Sequence, residues 1–212
     1  NHYGSVVMNT VQVPFFDIDH WSPGQGNQGQ RLSVTEKSGI WSWLIGKLGG
    51  SNSNSTPQSP ELSSLMNKLQ VYSDLIFRVY RTAAGYRVML LNRLLDPGDS
   101  LTQMLFDDLG CDPLYRKLCS SQECFRARLT PKPWRCGLAA PASKFPRSSQ
   151  WSQESFAAWL KRYETTIPGY AVCQWAGDVG GGYQIHDLPS ETQLLLSIHD
   201  AFTLRVGTQS LA

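Results

Sequence analysis

Charge, histidine and long apolar runs are all scarce in this chain. Charged residues make up 17% of its 212 residues and histidine occurs four times. No apolar run approaches the roughly 20 residues that a membrane-crossing helix needs, so no membrane span is expected. The five cysteines, Cys111, Cys119, Cys124, Cys136 and Cys173, are odd in number and contain no C-x-x-C pair. That argues against a disulfide framework and for a reducing, cytoplasmic setting. Structural zinc at the first four would need a tighter spacing than they have, and buried free thiols are the expectation. A P-loop, a dinucleotide-binding glycine fingerprint and a G-x-S-x-G nucleophile elbow are all missing, which removes three routes to catalysis. No internal repeat is visible.

What is present suffices for a core. Hydrophobic residues are 41% and aromatics 11%, enough for one domain over residues 1–212. The first residue is Asn1, so a piece of a longer or processed chain is expected, with a removed leader left open. Val6–Asp19 reads as a strand ending in acid. Ser22–Gln30 reads as a loop, Ser38–Leu48 as an apolar helix, and residues 49–59 (GGSNSNSTPQS) as a mobile loop by composition. Glu61–Ser73 has helical period behind a Ser59-Pro60 start. Leu75–Thr82 and Tyr86–Arg93 read as a hairpin around Ala83-Ala84-Gly85. Ser100–Leu109 and Asp112–Ser120 are expected helices, the second capped by Asp112. Cys124–Leu129 is a strand, Ser152–Thr165 a helix, Tyr170–Trp175 a strand and Ser190–Leu204 a final helix. Helices interspersed with a hairpin give an α+β fold, with a mixed or antiparallel sheet flanked by helices.

Net charge is only +2, but its distribution is uneven. Residues 75–150 hold twelve Arg or Lys against six Asp or Glu, a local +6. A basic middle points to a polyanionic partner, with phosphate the obvious candidate.

Three features carry candidate chemistry. The first is Phe15-Phe16-Asp17-Ile18-Asp19-His20. Residues two apart in a strand share a face, so Asp17 and Asp19 stand side by side with Phe16 and Ile18 turned inward. Two such carboxylates repel unless a cation relieves them. Mg²⁺ or Mn²⁺ suits them and leaves coordination places for phosphate. His20 is a candidate to join them. The second is Tyr80–Arg87, whose turn is expected to present Arg81 and Arg87 near its tip, suited to phosphate. The third is Cys111-Asp112-Pro113 followed by Phe125–Arg135. There Arg126 and Arg128 share one strand face, and Lys132 and Arg135 follow in a proline-stiffened turn. Four such cations suit a triphosphate or a nucleic-acid backbone, and Trp134 among them suits a base. His199 is expected to be a surface or packing residue of the last helix.

A D-x-D after an apolar strand serves several chemistries. The haloacid-dehalogenase phosphatases need glycine and threonine next, where this chain has His20-Trp21. A nucleotide-sugar glycosyltransferase is a weaker alternative. Taken in order, the three features resemble the archaeo-eukaryotic primase superfamily, the primase-polymerases, over roughly residues 10–135. Asp17 and Asp19 match its acidic strand, Gly85-Tyr86-Arg87 sits where its hairpin motif lies, and Arg126, Arg128 and Lys132 fall in its basic stretch. Its usual hairpin histidine is replaced here by Arg87.

The resemblance implies an RRM-like catalytic core and a nucleotidyltransferase, a DNA or RNA primase-polymerase of replication. Such an enzyme adds nucleotides from nucleoside triphosphates on a template. Asp17, Asp19 and, as third carboxylate, Asp112 would hold Mg²⁺ or Mn²⁺. Asp96, Asp107 and Asp108 stand as alternatives for that third place. Arg81, Arg87, Arg126, Arg128, Lys132 and Arg135 would hold triphosphate and template. The rival expectation is a non-catalytic, DNA-binding module of the replication-initiator kind.

Overall fold

The computed structural model describes residues 3–19, 59–204 and 209–212. The expected loop at Ser22–Gln30, helix at Ser38–Leu48, most of the 49–59 loop, and His20 lie outside the described residues.

The expected first strand divides in two, β1 (Val7–Thr10) and β2 (Phe15–Asp19). The break has a local cause. The Thr10 hydroxyl accepts the Val13 amide at 3.1 Å, and Pro14 has no N–H to give a ladder. The two pieces serve different sheets. β1 pairs antiparallel with β5 (Phe125–Arg128). β2 opens a four-stranded antiparallel sheet with β3 (Phe77–Thr82), β4 (Gly85–Leu90) and β7 (Cys173–Val179), in the order β2-β4-β3-β7. A short parallel pair, β6 (Tyr170–Ala171) with β8 (Ser210–Leu211), completes the strands described. The fold is therefore α+β with antiparallel sheets and one small parallel pair.

Helices cover both faces of the larger sheet. α1 (Pro60–Leu69) starts where the Ser59 hydroxyl accepts the Leu62 amide and Pro60 takes the first turn. Its Leu62, Leu65 and Leu69 recur every three or four residues and are buried. α2 (Ser100–Asp108) lies on the same side, with Phe106 edge-on to Phe16 at 5.4 Å. Gly110, at φ +64°, ends that helix in a conformation glycine adopts without strain. α3 (Pro113–Gln122) follows, capped by Asp112 as its sequence predicts. On the opposite face lies α5 (Ser190–Thr203), whose His199 ring sits 5.4 Å from Phe15 and 4.6 Å from Tyr80. α4 (Gln150–Thr166) reaches the segment after β5, where the Tyr163 hydroxyl meets the Thr130 hydroxyl and the Pro131 carbonyl at 2.7 Å each.

The core is continuous through the sheet. Phe15, Phe16, Phe77, Val79, Val88, Met89, Leu65, Leu69 and Phe106 are all fully buried. At about 25 cal/mol per Å² of apolar surface, each such side chain contributes on the order of 1.5–3 kcal/mol. Cys111, Cys119, Cys136 and Cys173 are buried free thiols and Cys124 is half-buried. No described helix is long and apolar enough to cross a membrane.

Candidate anion-binding site

Register builds the site. β2 and β4 pair so that Asp17 lies opposite Arg87 and Asp19 opposite Gly85. β3 then sets Tyr80 opposite Arg87, and β7 sets Trp175 opposite Tyr80. Asp17, Arg87, Tyr80 and Trp175 thus form one row on the face that α5 covers. Phe16 and Ile18 turn to the other face and are buried, as the alternation predicts.

Arg87 is 3% exposed and fully engaged. Its Nε donates to Asp17 Oδ1 at 2.7 Å and its Nη2 to Asp17 Oδ2 at 3.3 Å. Its Nη1 donates to the Arg128 carbonyl at 3.1 Å and faces His199 Nε2 at 3.4 Å. Burial works against the guanidinium charge. The Asp17 carboxylate and the other groups around it outweigh that, so its pKa lies above the ordinary value. A guanidinium has no acceptor, so His199 Nε2 must accept and Nδ1 must carry the ring proton. That proton faces Asp200 Oδ1 at 3.2 Å. Burial, opposed by the Asp200 hydrogen bond, holds His199 below its ordinary pKa, which agrees with a neutral ring.

Asp200 links this group to a second one. It accepts the Tyr80 hydroxyl at 2.6 Å and Arg78 Nη1 at 2.8 Å. Arg78 Nε reaches Asp178 at 3.0 Å, which also accepts Trp175 Nε1 at 2.9 Å and the Tyr183 hydroxyl at 2.7 Å.

Beyond the Asp17 end of the row the face opens into a polar pocket. Asp17, Asp19, Thr82, Arg87, Arg128, Lys132 and Arg135 line it, with Val172 and Ala212 at its edge. Among the described residues, four cations and two carboxylates line it, a net positive set. The crowding registers on Lys132: burial first, then Arg128 and Arg135, lower its pKa, and Asp19 and Asp17 only partly restore it. Arg128 Nε is buried, with no hydrogen-bond partner among the described residues.

Six of the residues singled out in the sequence therefore meet: Asp17, Asp19, Arg87, Arg128, Lys132 and Arg135. Three do not join them. Arg81 is exposed and sits one residue from Tyr80, so strand alternation sends it to the face opposite Arg87. The turn does not present both arginines to one ligand. Arg126 pairs with Asn9, two residues along β5 from Arg128 opposite Val7, and it is not among the described residues that line the pocket. Asp112 is a neighbour of Asp17 through its backbone, its amide donating to the Asp17 carbonyl at 3.1 Å. Its carboxylate accepts the Tyr115 amide at 2.7 Å and caps α3, so the structure gives it a capping role. Of the alternatives, Asp107 pairs with Arg116, and Asp108 with Lys68 and Tyr72.

Sequence reading missed His199, Asp200 and Tyr80 as partners of the site. The signal was present: His199 falls in the helical period of Thr192, Leu196 and Thr203, all buried, so a polar ring there needs a polar partner.

The donor set for a metal ion is two adjacent carboxylates. A carboxylate offers about four acceptor positions, and Arg87 takes one on each Asp17 oxygen, leaving outer positions on a side chain that is 26% exposed. Carboxylate oxygens are the donor type that a hard divalent cation takes. No group of three His, Cys, Asp or Glu suited to a metal occurs among the described residues. Compared with protein-family models, with curated proteins and with solved structures, the chain matches none.

Proposed function

We propose that this protein is a nucleic-acid-directed nucleotidyltransferase of the primase-polymerase type, and that the net-positive pocket receives phosphate. The observation that carries the phosphate reading is the crowding of Arg128, Lys132 and Arg135 beside Asp17 and Asp19. Cations are not brought this close without cost, and a polyanion offsets it. Asp17 and Asp19 would hold Mg²⁺ or Mn²⁺, which neutralises charge on a transferring phosphoryl group. Arg87, locked on Asp17, fixes that carboxylate's direction. Arg128, Lys132 and Arg135 bind and orient phosphate oxygens, the positioning on which in-line transfer depends. The RRM-like core that the resemblance implies belongs to the same proposal, as do template and triphosphate as partners.

One observation favours the non-catalytic reading instead. Asp17 is committed to Arg87 on both oxygens and Asp112 caps a helix. A binding module needs nothing more than the cations.

A primed template with nucleoside triphosphates and Mg²⁺ or Mn²⁺ separates the two. Extension by the wild type, lost in Asp19→Asn with the fold and strand binding intact, supports the enzyme. Asp19 is exposed, so that variant avoids disturbing the Arg87 clamp. Salt-sensitive strand binding without extension, the same in both proteins, moves the assignment to the binding module.

A further inference from the structure

We infer that Trp134, with Tyr3 behind it, is a stacking platform for a base of single-stranded nucleic acid whose phosphates enter the pocket. This rests on the phosphate reading of the pocket and names the ligand class more narrowly.

A tryptophan is ordinarily core, because its ring has so much apolar surface to bury. Trp134 is 52% exposed. Its position explains why packing does not take it. It lies in the 3₁₀ turn Pro133–Cys136, whose Pro133 and Cys136 are the buried residues. The turn anchors on those two and holds the residues between them outward. Lys132 and Arg135, on either side of Trp134, both line the pocket.

The ring is also held in place. Tyr3 meets it edge to face with centroids 5.0 Å apart, and Arg128 Nη2 donates to the Tyr3 hydroxyl at 3.5 Å. Lys132 Nζ stands 5.6 Å from the Trp134 ring centre, within cation–π range. Aromatic surface and phosphate-binding cations thus share two residues, Lys132 and Arg128. A free phosphate or a sugar phosphate would use the cations and leave the ring idle. A strand uses both: each base has a face to stack while its backbone follows the basic groove. Duplex DNA, with its bases already stacked on each other, offers none to Trp134.

The test compares two strands of equal charge, an oligothymidylate of about eight nucleotides and its abasic counterpart. Each is titrated against wild type, Trp134→Ala and Trp134→Phe, with melting curves to verify the fold. The expected result is that wild type prefers the base-bearing strand about tenfold. Trp134→Ala loses that preference with abasic binding unchanged, and Trp134→Phe keeps most of it. Equal binding of both strands by the wild type, or an equal loss on both in Trp134→Ala, would overturn the base platform and leave the phosphate pocket standing. Binding of neither strand by the wild type would overturn the pocket reading and the platform with it.

Discussion

The two ends of one sheet face carry two clusters of charge, and they are built differently. At the β7 end, Arg78 lies between Asp178 and Asp200, and Tyr80, Trp175 and Tyr183 donate to the same two carboxylates. Every charge there has its partner within the protein. At the β2 end, Arg87 is just as well satisfied, but Arg128, Lys132 and Arg135 gather round the opening, where Asp17 and Asp19 are the acidic residues among those described. The first cluster joins β3, β7 and α5 through its own hydrogen bonds; under the proposed function, the second is where a phosphate would enter. His199 joins the two, touching Arg87 on one ring nitrogen and Asp200 through the other.

Variants that break this contrast differ in the size of their effect. The largest expected effect is on stability. Arg87→Met removes a buried guanidinium and leaves Asp17, the Arg128 carbonyl and His199 without its hydrogen bonds. Breaking such a pair costs about 3–5 kcal/mol, read as a lower urea midpoint at unchanged slope. The double variant with Asp17→Asn should recover part of that, since the orphaned charge goes too.

Next in size is the effect on binding. Lys132→Met and Arg135→Met should each weaken strand binding about tenfold at low salt and lower the salt slope by about 0.7 per lost contact. Their melting temperatures should hold or rise, because each relieves the crowding of cations. Arg78→Met should do the reverse, lowering stability by about 1–3 kcal/mol with binding untouched. Equal binding losses in Arg78→Met and Lys132→Met would erase the distinction between the two ends.

The smallest expected effect is a pH dependence. The folded protein holds His199 below its ordinary pKa of 6.5. Below about pH 6.5 the unfolded chain takes up a proton that the fold refuses, so the stability present above that pH falls as pH falls, until the folded pKa is reached. The slope is at most about 1.4 kcal/mol per pH unit. His199→Gln, which keeps a polar group but does not titrate, should flatten the urea-stability profile over that interval relative to the wild type.

How much of this was legible in the sequence depended on the range of the interaction. The α1 and α3 caps and the β3–β4 hairpin are local, and Ser59-Pro60, Asp112-Pro113 and Ala83-Ala84-Gly85 announced them. The same locality explains the reassigned Asp112: a cap was visible in the sequence, and the cap is what its carboxylate does. Strand alternation gave Asp17 and Asp19 a shared face, but pairing register, which no single strand contains, decided that Arg87 and not Arg81 would stand opposite Asp17. The break of the first strand at Thr10–Pro14 was written in Pro14 and passed over because the flanking residues read so strongly as strand. The approach of β5 and the turn after it to β2, which gathers Arg128, Lys132 and Arg135 around Asp17, joins residues more than a hundred positions apart. Only their common chemistry hinted at it. The His199 link was least legible, because a helix histidine shows its partners only once α5 is laid on the sheet.

The most direct test of the central claim is calorimetric titration of the protein with inorganic tripolyphosphate at several salt concentrations, wild type beside the Lys132→Met/Arg135→Met double variant. The account predicts saturable, salt-sensitive binding to the wild type that falls by about a hundredfold in the double variant, two charge-assisted contacts each contributing roughly tenfold. Binding of equal strength to both proteins, or no binding to the wild type, would contradict it.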